Sequence, residues 1–154
     1  MDNFERLIQD LDSNHMIVKA NAALTLGQMN DPRAKAHLIK VLSDPHSAVR
    51  SEAAYALGVL QSHESVPELV KLLRDEDEWV RKSTAKALGL LKAKVAVDSL
   101  LGALEDPSDI VRKSVIRSLG QIGDVKVIPY LEKTLEDGNL FVRKASKKAL
   151  EELR

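Results

Sequence analysis

The chain has 154 residues, 44% hydrophobic but only 3% aromatic, and its 23 basic and 23 acidic side chains cancel. That length suits one domain with a core of Leu, Val, Ile and Ala. The lack of cysteine excludes disulfides and thiolate metal sites, and zero net charge by itself implies neither nucleic acid nor a membrane surface. The opening Met1-Asp-Asn-Phe-Glu-Arg lacks the basic-then-apolar order of a secretory signal, and no apolar run approaches a membrane span. A soluble cytoplasmic protein is expected.

The first predicted element is a lone short helix in a half unit, 1–12, with Phe4, Leu7, Ile8 and Leu11 along one side. Beyond it Val18, Val49, Val80, Val111 and Val142 recur every 31 residues without insertion, which marks an array of one repeated supersecondary unit. Full units lie near 13–43, 44–74, 75–105 and 106–136. In the second, Asp44-Pro45 sets an N-cap and a first-turn proline, so a helix should begin there. Its stripe is Val49, Ala53, Ala56, Leu57 and Leu60. Gln61-Ser62 interrupts the stripe, and Ser62 can cap a shorter second helix carrying Val66, Leu69, Val70 and Leu73. Each unit is thus two antiparallel helices, which bury their apolar faces only by stacking on neighbouring units.

The same clock places Leu26, Leu57, Leu88, Leu119 and Leu150 eight positions after the valines, with Gly27, Gly58, Gly89 and Gly120 next. Leu11, Leu42, Leu73, Leu104 and Leu135 stand seven positions before the valines. A closing helix, Leu140 to Leu153 within 137–154, has Glu151 where the glycine should recur, consistent with an outer side that meets water. The expected fold is all-α, about ten helices in five layers, in one domain over 1–154. Asp44, Asp75, Asp106 and Asp137 recur before the long helices, and Arg50, Arg81, Arg112 and Arg143 follow their valines. An active site is needed once, whereas a structural device is needed in every layer. The aspartates are therefore expected to cap helices, and the arginines to form a hydrogen-bonded ladder with the capping groups of adjacent layers. The glycines are expected at close helix contacts.

A run such as Asp106-Pro-Ser-Asp-Ile-Val-Arg-Lys-Ser-Val-Ile-Arg-Ser-Leu-Gly-Gln-Ile-Gly-Asp124 resembles the short HEAT repeat of the phycobilisome-lyase HEAT-like class, and the likeness extends over nearly the whole chain. The resemblance implies a right-handed α-solenoid with second helices on the concave side. It also implies an interaction protein, with two chemical branches: bilin lyases and a di-iron hydroxylase. The hydroxylase branch carries His-Glu pairs two and three positions after the valine. Here those positions hold Ala20-Asn21, Ser51-Glu52, Lys82-Ser83, Lys113-Ser114 and Lys144-Ala145. None is His-Glu, and a solitary Glu52 cannot hold two irons. His63-Glu64, the one adjacent pair, reads as surface. No catalytic residue, metal ligand or cofactor is assigned. The bilin-lyase branch has no short diagnostic motif, so a subunit of such a lyase or of a related chromophore-handling complex stays open as the alternative.

A non-catalytic scaffold, monomeric and binding another protein on its second helices, is the favoured function. The candidate contact row lies 15, 19 and 22 residues after each valine: Arg33, His37 and Lys40; Glu64, Glu68 and Lys71; Val95, Ser99 and Gly102; Lys126, Tyr130 and Lys133. The third set should form a shallow notch between charged neighbours. Its helix also lacks a cap, having Ala93 where Asp31, Ser62 and Asp124 stand. On the outer face Lys82, Lys86, Lys113, Arg117, Lys144 and Lys148 form an alternative basic ridge, beside an apolar strip of Leu24, Tyr55 and Val59. The halves 1–77 and 78–154 carry net charges of −4 and +4. Such a ridge could meet an acidic protein or a nucleic-acid backbone, but few aromatics are available to stack on bases, which argues against nucleic acid. Trp79 holds a generally apolar position and reads as a partly buried flank residue.

Overall fold

The computed structural model describes residues 1–154 as ten α-helices with no strand. Short helices α1 (Asn3–Asp10), α3 (Ala34–Lys40), α5 (Val66–Leu72), α7 (Val97–Gly102) and α9 (Ile128–Thr134) alternate with long ones. The long helices are α2 (Met16–Gln28), α4 (Ser47–Val59), α6 (Glu78–Leu90), α8 (Asp109–Ile122) and α10 (Leu140–Leu153). The long helices stack in succession, and each short helix packs mainly on the long helix that follows it. The result is an α-solenoid of five layers with one continuous core.

The periodic leucines sit at its centre: Leu26, Leu57, Leu88, Leu119 and Leu150 are all within 2% of complete burial. Beside them the glycines let long helices approach. A Cβ built on Gly58 would lie 2.7 Å from Ala87 Cα, and one on Gly27 3.0 Å from Ala56 Cα. Two periodic positions depart from the expected burial at the ends of the stack. Val18, on the first long helix of residues 1–154, is 36% exposed, and Leu135, after the last short helix, is 39% exposed.

The long helices begin later than the Asp-Pro signal suggests. Helix α4 starts at Ser47. Asp44 instead closes a turn ahead of it, accepting from the His46 N–H at 2.9 Å. Asp75, Asp106 and Asp137 do the same with Asp77, Ser108 and Asn139, each at 2.9 Å. In two of the long helices capping falls to the residue three before the valine, while His15, His46 and Ser108 at that position make no side-chain cap. Asp77 accepts from the Trp79 and Val80 amides, and Asn139 from those of Phe141 and Val142.

What the repeated aspartates do instead is hold the layers together. Arg50 donates Nε and Nη2 to Asp75 at 2.9 and 3.0 Å, Arg81 to Asp106 at 2.8 and 3.0 Å, and Arg112 to Asp137 at 2.9 and 3.0 Å. Each Nη1 donates backward to the carbonyl of its own layer's Asp44, Asp75 or Asp106. In the first layer Lys19 reaches Asp44 at 2.6 Å. Forked pairs of this kind add geometry as well as energy.

The short helices correct two further expectations. Asp31 and Asp124 accept from amides two residues on, but Ser62 caps nothing and its hydroxyl is buried without a partner. Ala93, itself buried, therefore leaves its unit no worse capped than the one before. Each turn from a long to a short helix contains one left-handed residue, again 31 apart: Asn30, Gln61, Lys92 and Gly123. Glycine meets this geometry without strain, whereas Gln61 and Lys92 adopt it because the packed layers require it.

Two stability measurements follow. Leu88 is fully buried in the middle layer, so Leu88→Ala should lower unfolding free energy in urea by about 2–5 kcal/mol. For Asp75, burial opposes ionisation, but the Arg50 fork, the Asp77 amide and the Arg50 and Arg81 charges outweigh it and lower its pKa. A lowered folded pKa gives stability that is present above the ordinary carboxylate value near 4 and is lost as pH falls through the folded one. Asp75→Asn should cost about 1–3 kcal/mol at pH 7. It should also shrink the loss of stability seen in urea titrations below about pH 4.

Candidate functional site

With the repeated residues committed to stacking, the variable ones are left on the short helices. Arg33, Lys40, Glu64, Glu68, Lys71, Val95, Ser99, Gly102, Lys126, Tyr130 and Lys133 are exposed, and His37 is half-buried. They are not equally free. Arg33 pairs with Asp31 at 2.6 Å and lies over the Phe4 ring, 4.1 Å from its centre. Lys71 pairs with Glu68 at 3.3 Å within α5, and Lys126 crosses to Asp98 of the preceding layer at 3.2 Å.

Ser99 and Gly102 of the third set line a groove of about 950 Å³ between α5 and α7. Its walls include Val70, Lys71 and Arg74 on one side and Asp98, Ser99 and Glu105 on the other, with the ladder residues Asp75, Arg81 and Asp106 also lining it. Gly102 makes this space: no atom lies within 4 Å of where its Cβ would be, and its counterparts in the other units are Lys40, Lys71 and Lys133. One wall is basic and the other acidic, and Arg74 and Glu105 are exposed. Val95 does not line the groove; it stands out from the surface, 83% exposed. Arg74, Asp98 and Glu105 lie off the three-position row that sequence periodicity marks. The signal that could have found them is variability, since Arg74 and Glu105 have Ser43 and Glu136 as counterparts.

On the outer face Lys86, Arg117, Lys144 and Lys148 are exposed, while Lys82 and Lys113 are half-buried. Much of this ridge is engaged with aromatic rings. Lys86 lies 4.9 Å from the Tyr55 ring centre, Lys82 5.3 Å from Trp79, and Lys113 and Lys144 5.9 and 6.0 Å from Phe141. Cation–π contacts of this kind hold an ammonium against its own protein. Leu24 and Tyr55 are half-buried rather than the most exposed positions of their helices. The helix-entry position is more open than an apolar flank should be: Ile17 is 68%, Trp79 54% and Phe141 63% exposed. No three His, Cys, Asp or Glu side chains stand together as a metal-binding group, and the residues at the His-Glu positions do not fit a di-iron centre.

A family profile for HEAT repeats matches residues 4–89 and 66–151. The chain belongs to the HEAT-repeat family. Among solved structures this HEAT-repeat chain is similar to the complex of CpcE and CpcF of phycocyanin lyase from Nostoc sp. PCC7120. The TM-score is 0.89 at 28% identity, over 99% of this chain and 65% of that one. It therefore spans less than two thirds of that relative's length. An engineered protein matches with a TM-score of 0.74 at 25% identity, over 97% of this chain and 78% of that one. A designed armadillo repeat protein in complex with the peptide (KR)4 matches at 0.71 and 23%, over 98% and 82%, a likeness of fold alone. Among curated proteins none matches the sequence. No helix is long and apolar enough to cross a membrane.

The groove and the layer contacts make opposite demands at two glycines. Gly58→Ala forces a Cβ against Ala87 backbone and should destabilise by about 1–3 kcal/mol. Gly102→Ala enters open space with a helical backbone and should stabilise by about 0.4–1 kcal/mol. Urea midpoints that move in the same direction would contradict these placements.

Proposed function

We propose that this chain is a non-catalytic scaffold that binds another protein along its short-helix face, with the groove between α5 and α7 as the centre of contact. The observation that carries this is the division of labour along the repeat. Periodic residues are consumed by stacking, while the exposed short-helix residues differ from layer to layer and include a groove with walls of opposite charge. A fixed frame carrying variable side chains is how repeat proteins present extended binding surfaces. Binding here uses a monomer and no cofactor.

Affinity capture from the native cell, with the retained protein identified, supplies the partner for the test. Glu68→Lys and Gly102→Arg, each at an exposed site, should weaken its binding by at least about tenfold, or about 1.4 kcal/mol, with helical content unchanged by circular dichroism. Lys86→Glu combined with Arg117→Glu should leave binding within about twofold. The reverse pattern, with steep loss in added salt, would transfer the site to the basic ridge.

The likeness to the phycocyanin lyase complex, at 28% identity, favours a second reading: a subunit of a bilin lyase or of a related chromophore-handling complex. Adding a bilin to the chain, alone and with its captured partner, and recording visible absorbance separates the two. A new bound-bilin band supports the lyase role, and unchanged spectra in both samples leave the scaffold.

A further inference from the structure

Most of the charges lining the groove between α5 and α7 are neutralised by the chain itself. Asp75 is held by Arg50 and Asp106 by Arg81. Lys71 pairs with Glu68, and Asp98 with Lys126. Two groove residues are left over, Arg74 and Glu105, both exposed and neither engaged in an ion pair or side-chain hydrogen bond. They are 31 residues apart, so they hold the same position in successive layers, one on each rim. Because packed helices lie about 8–10 Å apart, an unpaired cation and an unpaired anion stand roughly one layer apart across the groove.

Between them the floor is open. Gly102 has an ordinary helical φ of −63°, and no atom lies within 4 Å of where its Cβ would be. Neither backbone geometry nor a layer contact asks for glycine there, and its effect is to let another backbone come close to α7. Ser99, one turn back on the same helix, is exposed with its hydroxyl unengaged.

We propose that the groove recognises an extended segment of a partner protein that carries an acidic side chain against Arg74 and, three residues away, a basic one against Glu105. This rests on the reading of the short-helix face as the contact surface and names the chemistry of what binds there. A uniformly acidic or uniformly basic segment meets a like charge at one rim, so the pair selects opposite signs. The spacing selects an extended chain. In a polyproline-type segment residues three apart lie on the same side and about 9 Å from each other, close to one layer step. Such a segment also keeps its main-chain N–H and C=O groups free for Ser99, whereas a helix uses its own internally. Arg74 holds the carboxylate through a planar fork.

The probes are four capped tetrapeptides with a preset extended core: Glu-Pro-Pro-Lys, Lys-Pro-Pro-Glu, Glu-Pro-Pro-Glu and Lys-Pro-Pro-Lys. Titrated into the nitrogen-15-labelled full chain, one of the two mixed-charge peptides should move the Arg74 Nε–Hε signal and the amides of residues 99–103 saturably, with a Kd of about 1–10 mM. Both like-charge peptides should bind at least about fivefold more weakly. Glu105→Lys in the chain should reverse this order and make Glu-Pro-Pro-Glu the tightest of the four, with the circular dichroism spectrum kept. Equal binding of all four peptides, an order unchanged by Glu105→Lys, or no shift at about 20 mM peptide overturns the proposal. The captured partner separates this inference from the reading beneath it. If Gly102→Arg weakens partner binding but Arg74→Glu and Glu105→Lys each leave it within about twofold, the groove stands as the contact and the charge-paired segment falls. If Gly102→Arg has no effect on partner binding, both fall.

Discussion

At three boundaries between layers one guanidinium reaches from a long helix to the next layer and holds an aspartate with two of its nitrogens. Its third nitrogen is tied to the turn behind it. Because the same aspartate also closes the turn before its own long helix, as Asp75 does with Asp77, the rung links three things: helix entry, turn shape and layer spacing. The glycine contact supplies the second constraint, since a long helix that meets Gly58 through Ala87 can approach only at one depth. Fork and contact together fix both rotation and distance, and the leucine core is packed within that frame.

Such a frame leaves little room for variation on the long helices and much on the short ones. The first unit shows the tolerance at one end, where Lys19 substitutes for the arginine with a single bond to Asp44. The third unit shows it in the middle, where Gly102 removes a side chain without touching anything. The interior can stay constant while the exposed row passes from basic to acidic to small to basic. This separation of frame and surface is the physical basis for the proposal that recognition belongs to the short helices, and the groove is where it is most pronounced.

Much of this could be read from the sequence because the periodic residues are buried for the same reason in every layer. Val49, Val80, Val111 and Val142 are all fully buried. The ladder was legible too, but the role of its aspartates was not. An Asp before a Pro signals a helix start, yet here it forms a turn one step earlier, and Asp77 and Asn139 do the capping. Left-handed residues at Gln61 and Lys92 carry no local signal, because tertiary packing imposes that backbone on side chains that do not favour it. The groove was half legible: Gly102 and Ser99 lie on the periodic row, while Arg74, Asp98 and Glu105 are brought to it by the stacking of the long helices, which sets α5 and α7 on either side of it.

The claim that recognition belongs to the short helices is tested most directly by amide hydrogen exchange of the chain with and without its captured partner. Slowing is expected over residues 63–73 and 94–105, which hold α5, α7 and the turns beside them, with α6 and α8 changed little. Slowing confined to the outer surfaces of the long helices, around residues 82–86, 113–117 and 144–148, with α5 and α7 unchanged, would contradict it.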